Sequence, residues 1–245
     1  MAMRRVLGKR IVEIGEGAFD DLLARHEGVV LDVGTGDGKH PFHLARQRPD
    51  QLVIGLDAAK DNLRKTAAKA AANPAKGGLA NLLYLWAPAE QLPAGLRGVT
   101  ELHMLMPWGS LLRGMLGSDP SMLRGLAAVC EPDARFLTTL NLHAWRPPVP
   151  EVGDHPEPTP ESAVKGLGPL LAAAGWRLDE AKYLDAEEIA ALSTSWTRRL
   201  NSTRAQLDVL ALTGVVNPTR ELEGDPAAEP GDGHGDGAAA PAPGV

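Results

Sequence analysis

The sequence has few residues that form covalent cross-links or large aromatic contacts. Its 245 residues include one cysteine, Cys130, and five Trp, three Phe and two Tyr. A single cysteine excludes an intrachain disulfide and a cysteine-rich metal site, which is typical of a reducing compartment. The chain has no run of roughly 18 consecutive apolar residues, and no apolar stretch of a secretory signal follows its basic N-terminus. We therefore expect a soluble, cytoplasmic protein.

The charge is distributed unevenly along the chain. The formal net charge is −6, but six of the 31 acidic residues follow Arg220 and no Lys or Arg does, which leaves 25 acidic and 25 basic residues before that point. Residues 221–245 are rich in Gly, Pro, Ala and acid, so we expect a disordered acidic tail. The remainder is formally neutral, and its charge does not exclude a nucleic-acid partner.

The seven histidines show no ligand spacing, so the sequence predicts no metal site. His103 lies within a predicted strand and is expected to pack in the core. The chain is also expected to be a monomer.

Short β-rich runs alternate with helical segments from residue 29 to about 146, a pattern typical of βαβ units. The predicted strands are residues 29–33, 52–57, 82–86, 101–106, 135–142, 176–184 and 206–212. The predicted helices are residues 39–48, 59–72, 121–130 and 161–174, and the proline-rich residues 143–160 are expected to form a loop. This order predicts a doubly wound α/β fold with a seven-stranded, mostly parallel sheet and helices on both faces.

The predicted domain organisation is simple. Residues 1–15 are expected to be an N-terminal extension with a hairpin around Gly8, residues 16–220 a single domain, and residues 221–245 the tail.

A glycine-rich turn joins the first strand of this pattern to the following helix. Glycines occupy positions 34, 36 and 38, and Asp32 precedes the first of them by two residues. Glycine there lets the backbone approach a ligand closely, at the N-terminus of a helix. The spacing differs from the dinucleotide fingerprint G-x-G-x-x-G. It resembles motif I of the Rossmann-like methyltransferases, which implies S-adenosylmethionine as cofactor, with Asp32 holding its ammonium group.

The next two strands end in residues that suit the same ligand. Asp57 ends the second strand, where a carboxylate can accept hydrogen bonds from both ribose hydroxyls. The third strand is followed by Ala89 and Glu90, at the place where such enzymes contact adenine. Three strand ends are thus predicted to converge on one nucleoside.

Two tryptophans lie in segments predicted to face the substrate. Pro107 and Trp108 follow the fourth strand, and Trp196 lies in the connection before the last strand. Flipped bases are commonly held between aromatic faces, although either tryptophan could instead cover the edge of the core.

The segments Pro107–Leu112 and Thr194–Trp196 and the Asp32 motif together resemble the Kam family, the aminoglycoside-resistance 16S rRNA (adenine-1408, N1) methyltransferases. The similarity runs from about Val6 to Arg220. It implies that Trp108 and Trp196, helped by Pro107, clamp the target adenine of the 30S decoding site. With motif I, it implies that the cofactor is bound by Asp32, Gly34, Gly36, His40, Asp57, Ala89, Glu90, Leu105, Met106, Ser110, Thr194 and Ser195.

Basic residues are grouped in two places that suit phosphate contacts. The predicted RNA-binding residues are Arg64, Lys65, Lys69, Arg198, Arg199 and Arg204. Such groups can also be ordinary solvated faces.

Three other functions stay open at this point. One is a tRNA guanine-N7 methyltransferase, against which the Pro107-Trp108 strand end argues. A second is a catalytically inactive ribosome-binding protein, which the intact Asp32, Gly34, Gly36 and Asp57 disfavour. A third is a small-molecule methyltransferase, for which the sequence offers no evident cap domain.

Overall fold

The computed structural model describes residues 2–146, 152, 155–192 and 209–218. These residues form a nine-stranded sheet with the strand order β2-β1-β5-β4-β3-β6-β7-β9-β8. The strands are β1 (Met3–Leu7), β2 (Arg10–Ile14), β3 (Gly28–Val33), β4 (Gln51–Asp57), β5 (Leu82–Trp86), β6 (Val99–Leu105), β7 (Cys130–Asn141), β8 (Trp176–Tyr183) and β9 (Val209–Val216). The helices are α1 (Glu16–Leu23), α2 (Lys39–Gln47), α3 (Lys60–Ala70), α4 (Gly109–Arg113), α5 (Pro120–Ala128), α6 (Pro160–Ala172) and α7 (Ala186–Ala191).

The expected α/β fold with a mostly parallel sheet is confirmed, but the expected count of seven strands is wrong. The additional strands are β1 and β2, which pair as a hairpin from Met3↔Ile14 to Leu7↔Arg10. β1 also pairs with β5 at Arg5↔Leu85, so the hairpin extends the main sheet. This pairing joins residues far apart in the chain, and local hydrophobic patterns carry no information about it.

The strand β7 begins earlier than predicted. The helix expected over residues 121–130 is α5, which ends at Ala128, and β7 begins at Cys130. Its pairing with β6 passes through an irregularity between Val99↔Cys130 and Glu101↔Arg135. Asp133, with φ 58°, lies within this bulge. The bulge lets the strand cross the polar Glu131-Pro132-Asp133 sequence that favours a break.

The five central strands, β5-β4-β3-β6-β7, run parallel. Parallel strands are covered on both faces and therefore have continuous apolar sequences, as the fully buried Val30, Leu31, Val53 and Ile54 illustrate. One face of the sheet packs against α1, α5 and α6, and the buried residues of these helices include Phe19. The other packs beneath α2 and α3. The carboxyl ends of the parallel strands consequently lie along one edge, where open α/β sheets bind ligands.

None of the helices in the described part of the chain has the length and apolar character needed to span a membrane.

Candidate cofactor and substrate site

The glycine-rich turn after β3 is bound to the end of β4. The backbone N–H groups of Gly34 and Thr35 both donate to the carbonyl of Leu56, at 2.8 and 3.1 Å. Gly34, Gly36 and Gly38 have φ values of 70°, 60° and 72°, a region that residues with a Cβ adopt at a cost. The turn is therefore fixed in a left-handed conformation that requires glycine.

The three glycines face different surroundings. A Cβ at Gly38 would lie 2.5 Å from Cε1 of the buried Tyr84, and a Cβ at Gly34 would lie 2.5 Å from Cδ2 of Leu111. A Cβ at Gly36 would meet no atom of the described chain within 4 Å. Gly38 is needed for packing, Gly34 for the approach of α4, and Gly36 borders open space in which a ligand can lie against the backbone.

Asp32 is 2% exposed and lies at the end of β3. Within the described part of the chain its carboxylate accepts no hydrogen bond, although buried polar groups are normally paired. A buried carboxylate beside an open glycine turn fits a cationic ligand group such as the ammonium of an amino acid. The cofactor role predicted for Asp32 is compatible with this position and stays a prediction.

Asp57 connects the glycine turn to α3. Its Oδ2 accepts from the N–H of Gly36 at 2.7 Å and its Oδ1 accepts from the N–H of Ala59 at 2.7 Å. Burial raises the pKa of Asp57, while these two bonds oppose the rise. Each carboxylate oxygen can accept a second bond, so the predicted ribose contact is compatible with this arrangement.

The segment after β5 lies next to Asp57. The N–H of Ala87 donates to the carbonyl of Asp57 at 3.2 Å. Ala89 is buried and Glu90 is exposed. The predicted adenine-side residues therefore lie along the same edge as Asp57.

The chain turns sharply where β6 ends. Met106 has φ 50°, and its N–H donates to both the carbonyl (2.8 Å) and Oγ1 (3.0 Å) of Thr139. A positive φ in a non-glycine residue costs about 1–3 kcal/mol and is found mainly at functional sites. Pro107 is buried after this turn, while Trp108 is 43% exposed and Ser110 is exposed. The turn at Met106 thus holds the Trp108 side chain partly in solvent. Leu111, three residues after Trp108, lies next to Gly34 of the glycine turn.

The end of α7 packs against the same turn. Ile189 and Leu192 form one hydrophobic cluster with Leu105, Met106 and Val209. Leu192 is the last described residue before the segment that contains Thr194, Ser195 and Trp196, all three of which lie outside the described residues. The described flanks of the two predicted tryptophan segments therefore meet, although more than 80 residues separate Met106 from Leu192 in the sequence.

His40 is bonded through both ring nitrogens. Its Nδ1 lies 2.6 Å from the carbonyl oxygen of Leu192 and its Nε2 lies 2.9 Å from Nδ1 of His103. Burial lowers the pKa of His40, partly offset by the charge of Asp32. A cofactor contact through a ring nitrogen of His40 would have to replace one of these bonds. The predicted cofactor role of His40 therefore stays a prediction, and the contact would have to use its backbone or the edge of its ring.

The network continues into the sheet through residues that the sequence does not single out. His103, 4% exposed as expected for a core histidine, lies with its Nε2 2.7 Å from Oε1 of Glu101. Arg48 and Arg135 donate to Oε2 of Glu101 at 2.9 and 2.7 Å. Burial alone would raise the pKa of Glu101, but its bonds with His103 and Arg48 hold that pKa at about 2. The alternation of residues 101 and 103 in β6 could have indicated a shared face, though not the partners.

The predicted basic residues of α3 lie along the helix that begins just after Asp57. Lys65 is exposed, Arg64 forms an ion pair with Asp61 at 2.9 Å, and the Lys69 ammonium lies 4.4 Å from the centre of the Phe42 ring. Lys60, which the sequence analysis does not select, starts this helix and lies 4.4 Å from the centre of the Trp86 ring. Arg198, Arg199 and Arg204 lie outside the described residues.

Within the described ranges, the histidines, cysteine and acidic residues form no group of three or more that could hold a metal ion.

The fold and this edge define the Rossmann-like class of methyltransferases. The family described as "NpmA: 16S rRNA (adenine(1408)-N(1))-methyltransferase" matches residues 4–215, and the chain belongs to that family. The chain is 68% identical over 216 residues to the 16S rRNA (adenine(1408)-N(1))-methyltransferase of Streptoalloteichus hindustanus, covering 88% of this chain and 100% of that protein. The family expected from the sequence is confirmed, and no alternative reading is favoured.

Solved structures agree with this assignment. The structure of the 16S rRNA methyltransferase KamB is 64% identical, with a TM-score of 0.84, covering 88% of this chain and 100% of that chain. A variant of the 16S rRNA (adenine(1408)-N(1))-methyltransferase from Catenulisporales acidiphilia, solved with its cosubstrate S-adenosylmethionine, is 36% identical with a TM-score of 0.82. It covers 90% of this chain and 99% of that chain.

Proposed function

We propose that this protein transfers a methyl group from S-adenosylmethionine to N1 of adenine 1408 in the 16S rRNA of the 30S subunit, and that this modification gives aminoglycoside resistance. One observation carries the proposal beyond family membership. The Met106 turn, which precedes Trp108, packs against Leu192 at the end of α7. Leu111 of the following helix α4 lies next to Gly34, where an added Cβ would be 2.5 Å from its Cδ2. These contacts support a cofactor at the glycine turn next to a base held by the Met106 turn.

The cofactor is held by groups at the carboxyl edge of the sheet. Asp32 binds the ammonium group, because it is a buried carboxylate at the strand end that leads into the open glycine turn. The Gly34–Gly36 backbone borders the amino-acid end, Asp57 accepts from the ribose hydroxyls, and Ala89 and Glu90 border the adenine. When bound, S-adenosylmethionine supplies an electrophilic methyl group on its sulfonium.

The protein contributes mainly position to the reaction. Pro107 and Trp108 orient the target base, with Trp196 on its other face, and each stacking contact contributes about 1–3 kcal/mol. Adenine N1 has an available lone pair at neutral pH, so no general base has to remove a proton before attack. The aromatic faces also suit the cationic product. Catalysis then depends on holding N1 in line with the methyl group while water is excluded.

Recognition of the ribosome relies on surface shape and phosphate contacts. Arg64, Lys65 and Lys69 provide positive charge on α3, and Arg198, Arg199 and Arg204 provide it near Trp196 in the sequence. A domain of this size reads a folded RNA surface by shape as much as by bases. We infer that the substrate is the assembled 30S subunit, that the protein acts as a cytoplasmic monomer without a metal ion, and that residues 16–220 form the catalytic domain between the hairpin extension and the acidic tail.

Methyl transfer from labelled S-adenosylmethionine tests the proposal against its alternatives. Purified unmethylated 30S subunits, protein-free 16S rRNA and total tRNA are offered separately to the full chain. Labelling of 30S subunits at the highest rate is expected. Preferred labelling of tRNA would replace the proposal by the guanine-N7 activity, and cofactor binding by calorimetry without labelling of any RNA would overturn it too.

A further inference from the structure

A continuous chain of hydrogen bonds runs from the sheet to the end of α7. Glu101 Oε1 lies 2.7 Å from His103 Nε2, His103 Nδ1 lies 2.9 Å from His40 Nε2, and His40 Nδ1 lies 2.6 Å from the carbonyl oxygen of Leu192. His103 is 4% exposed and Glu101 is 8% exposed. These hydrogen bonds connect β6, α2 and the end of α7 through the buried Glu101 and His103 and the partly buried His40.

The donors and acceptors in these three hydrogen bonds determine how many protons the two histidines hold. A carbonyl oxygen only accepts, so His40 Nδ1 donates to Leu192. The Glu101 carboxylate also accepts, since its pKa is held at about 2, so His103 Nε2 donates to it. The nitrogen–nitrogen contact requires one more proton. Two neutral imidazoles carry only two N–H groups, whereas the three bonds need three, so the complete chain contains one shared imidazolium proton.

The charged groups around His40 and His103 favour the state with one shared proton, and they act from the side of Glu101. Arg48, directly after α2, and Arg135 of β7 are already paired with Glu101. The remaining titratable groups that face the pair or line the adjoining cavity of about 560 Å³ are Asp32 of β3, His43 of α2 and Asp179 of β8. Burial disfavours a charged His40 and lowers its pKa. The Glu101 carboxylate contacts His103 and not His40, so it stabilises the shared proton from the His103 side of the pair.

We propose that His103 and His40 are positioning residues that share one proton, and that this proton holds the Leu192 carbonyl, and with it the end of α7 that leads to Trp196, in register with the cofactor turn. The part concerning Trp196 rests on the proposed function. When the shared proton is lost, one of the three bonds is lost with it, and His40 is free to turn away from Leu192.

This arrangement predicts the direction of the pH dependence. All three hydrogen bonds form while His40 and His103 together hold the extra proton. One of them breaks when a rising pH removes that proton. A net hydrogen bond contributes about 0.5–1.5 kcal/mol, so kcat/KM on 30S subunits should fall about 2–10-fold across that titration. Affinity for S-adenosylmethionine should change less, because Asp32 and the glycine turn do not depend on Leu192.

Two variants of His103 separate positioning from folding. In His103→Asn the amide nitrogen takes the place of Nδ1 and donates to His40 Nε2, so the link to Leu192 is complete with a neutral His40 and no shared proton. This variant should keep the low-pH kcat/KM of the wild-type enzyme and lose its decline at high pH. In His103→Leu the donor is absent at every pH, and kcat/KM should be low throughout.

A measurement without RNA decides the proton count separately. The ¹⁵N resonances of the histidine rings and the ¹³C resonance of the Leu192 carbonyl are followed from about pH 5 to 9, which brackets an ordinary histidine titration. The Leu192 resonance is expected to shift with the histidine pair in wild-type protein and to stay constant in His103→Asn. A constant Leu192 resonance in wild-type protein, or a His103→Asn pH profile that matches the wild type, would overturn the proposal. Absence of 30S methylation by the wild type would refute the proposed function alone, because the resonances would still report the shared proton.

Discussion

Replacing Gly38 by alanine should destabilise the protein far more than the same replacement at Gly36. Both glycines have positive φ, 72° and 60°, and a left-handed alanine costs about 1–2 kcal/mol at either position. Only at Gly38 does the new methyl group meet the protein, 2.5 Å from Cε1 of Tyr84. The Tyr84 ring is 1% exposed, and its hydroxyl donates to the Gly38 carbonyl at 2.5 Å.

The ring cannot move aside without losing that bond and its packing. Overpacking of a filled core costs about 1–3 kcal/mol, so Gly38→Ala should lose about 2–5 kcal/mol in all. Gly36→Ala should lose about 1–2 kcal/mol. Cofactor affinity should rank the two variants in the opposite order. The methyl group of Gly36→Ala projects into the open space of the proposed site, so this more stable variant should bind S-adenosylmethionine more weakly.

Urea unfolding followed by tryptophan fluorescence and far-UV circular dichroism gives the two stabilities by linear extrapolation. Calorimetry gives cofactor affinity at a temperature where both variants are folded. Equal stability of the two variants would refute the packing argument for Tyr84. Wild-type cofactor affinity in Gly36→Ala would show that the space beside Gly36 is not the cofactor site.

Three further changes test other parts of the site. Trp108→Ala should lower kcat/KM on 30S subunits about 5–150-fold, the equivalent of one lost stacking contact of about 1–3 kcal/mol, with unchanged S-adenosylmethionine affinity by calorimetry; equal losses in both would contradict a base-stacking role. Asp32→Asn should weaken cofactor binding about 10-fold or more, since a hydrogen bond to a charged group contributes about 1.5–3 kcal/mol, and titration calorimetry measures this directly. Glu101 has a pKa of about 2 against an ordinary 4.5, so its stabilising contribution is present above the ordinary value and is lost as the pH falls through about 2. Urea midpoints between about pH 5 and 2 should consequently fall less steeply in Glu101→Gln than in wild-type protein, and parallel declines would rule out this contribution.

Local signals in the sequence predict the cofactor half of the site. A β-branched run that ends in Asp32, followed by closely spaced glycines and a helix, can form few structures other than a strand–turn–helix unit. Asp57 follows from the same reasoning, because parallel neighbours end at one edge. The structure adds that Asp57 binds the Gly36 N–H, a contact that connects the two predictions.

The substrate half depends on contacts between distant residues. The α7 helix begins with a capping box in which the Asp185 and Glu188 side chains each accept from the other's backbone N–H, at 2.8 and 3.0 Å. This short signal is present in the sequence and indicates where the helix starts, but not what it packs against. The packing of α7 against Met106 and the approach of His40 to His103 leave no periodic pattern, because each joins residues that are far apart in the sequence. The sequence likewise does not indicate the left-handed backbone conformation of Met106, since methionine has no preference for that conformation.

The most direct test of the central claim is to locate the methyl group on the RNA. Unmethylated 30S subunits are incubated with the full chain and S-adenosylmethionine, and the extracted 16S rRNA is copied by reverse transcriptase, which stops at a base methylated on its Watson–Crick edge. One new stop is expected at adenine 1408, and it should be absent from reactions with Asp32→Asn at low cofactor concentration. A stop at another nucleotide, or methylated RNA without any stop, would contradict it.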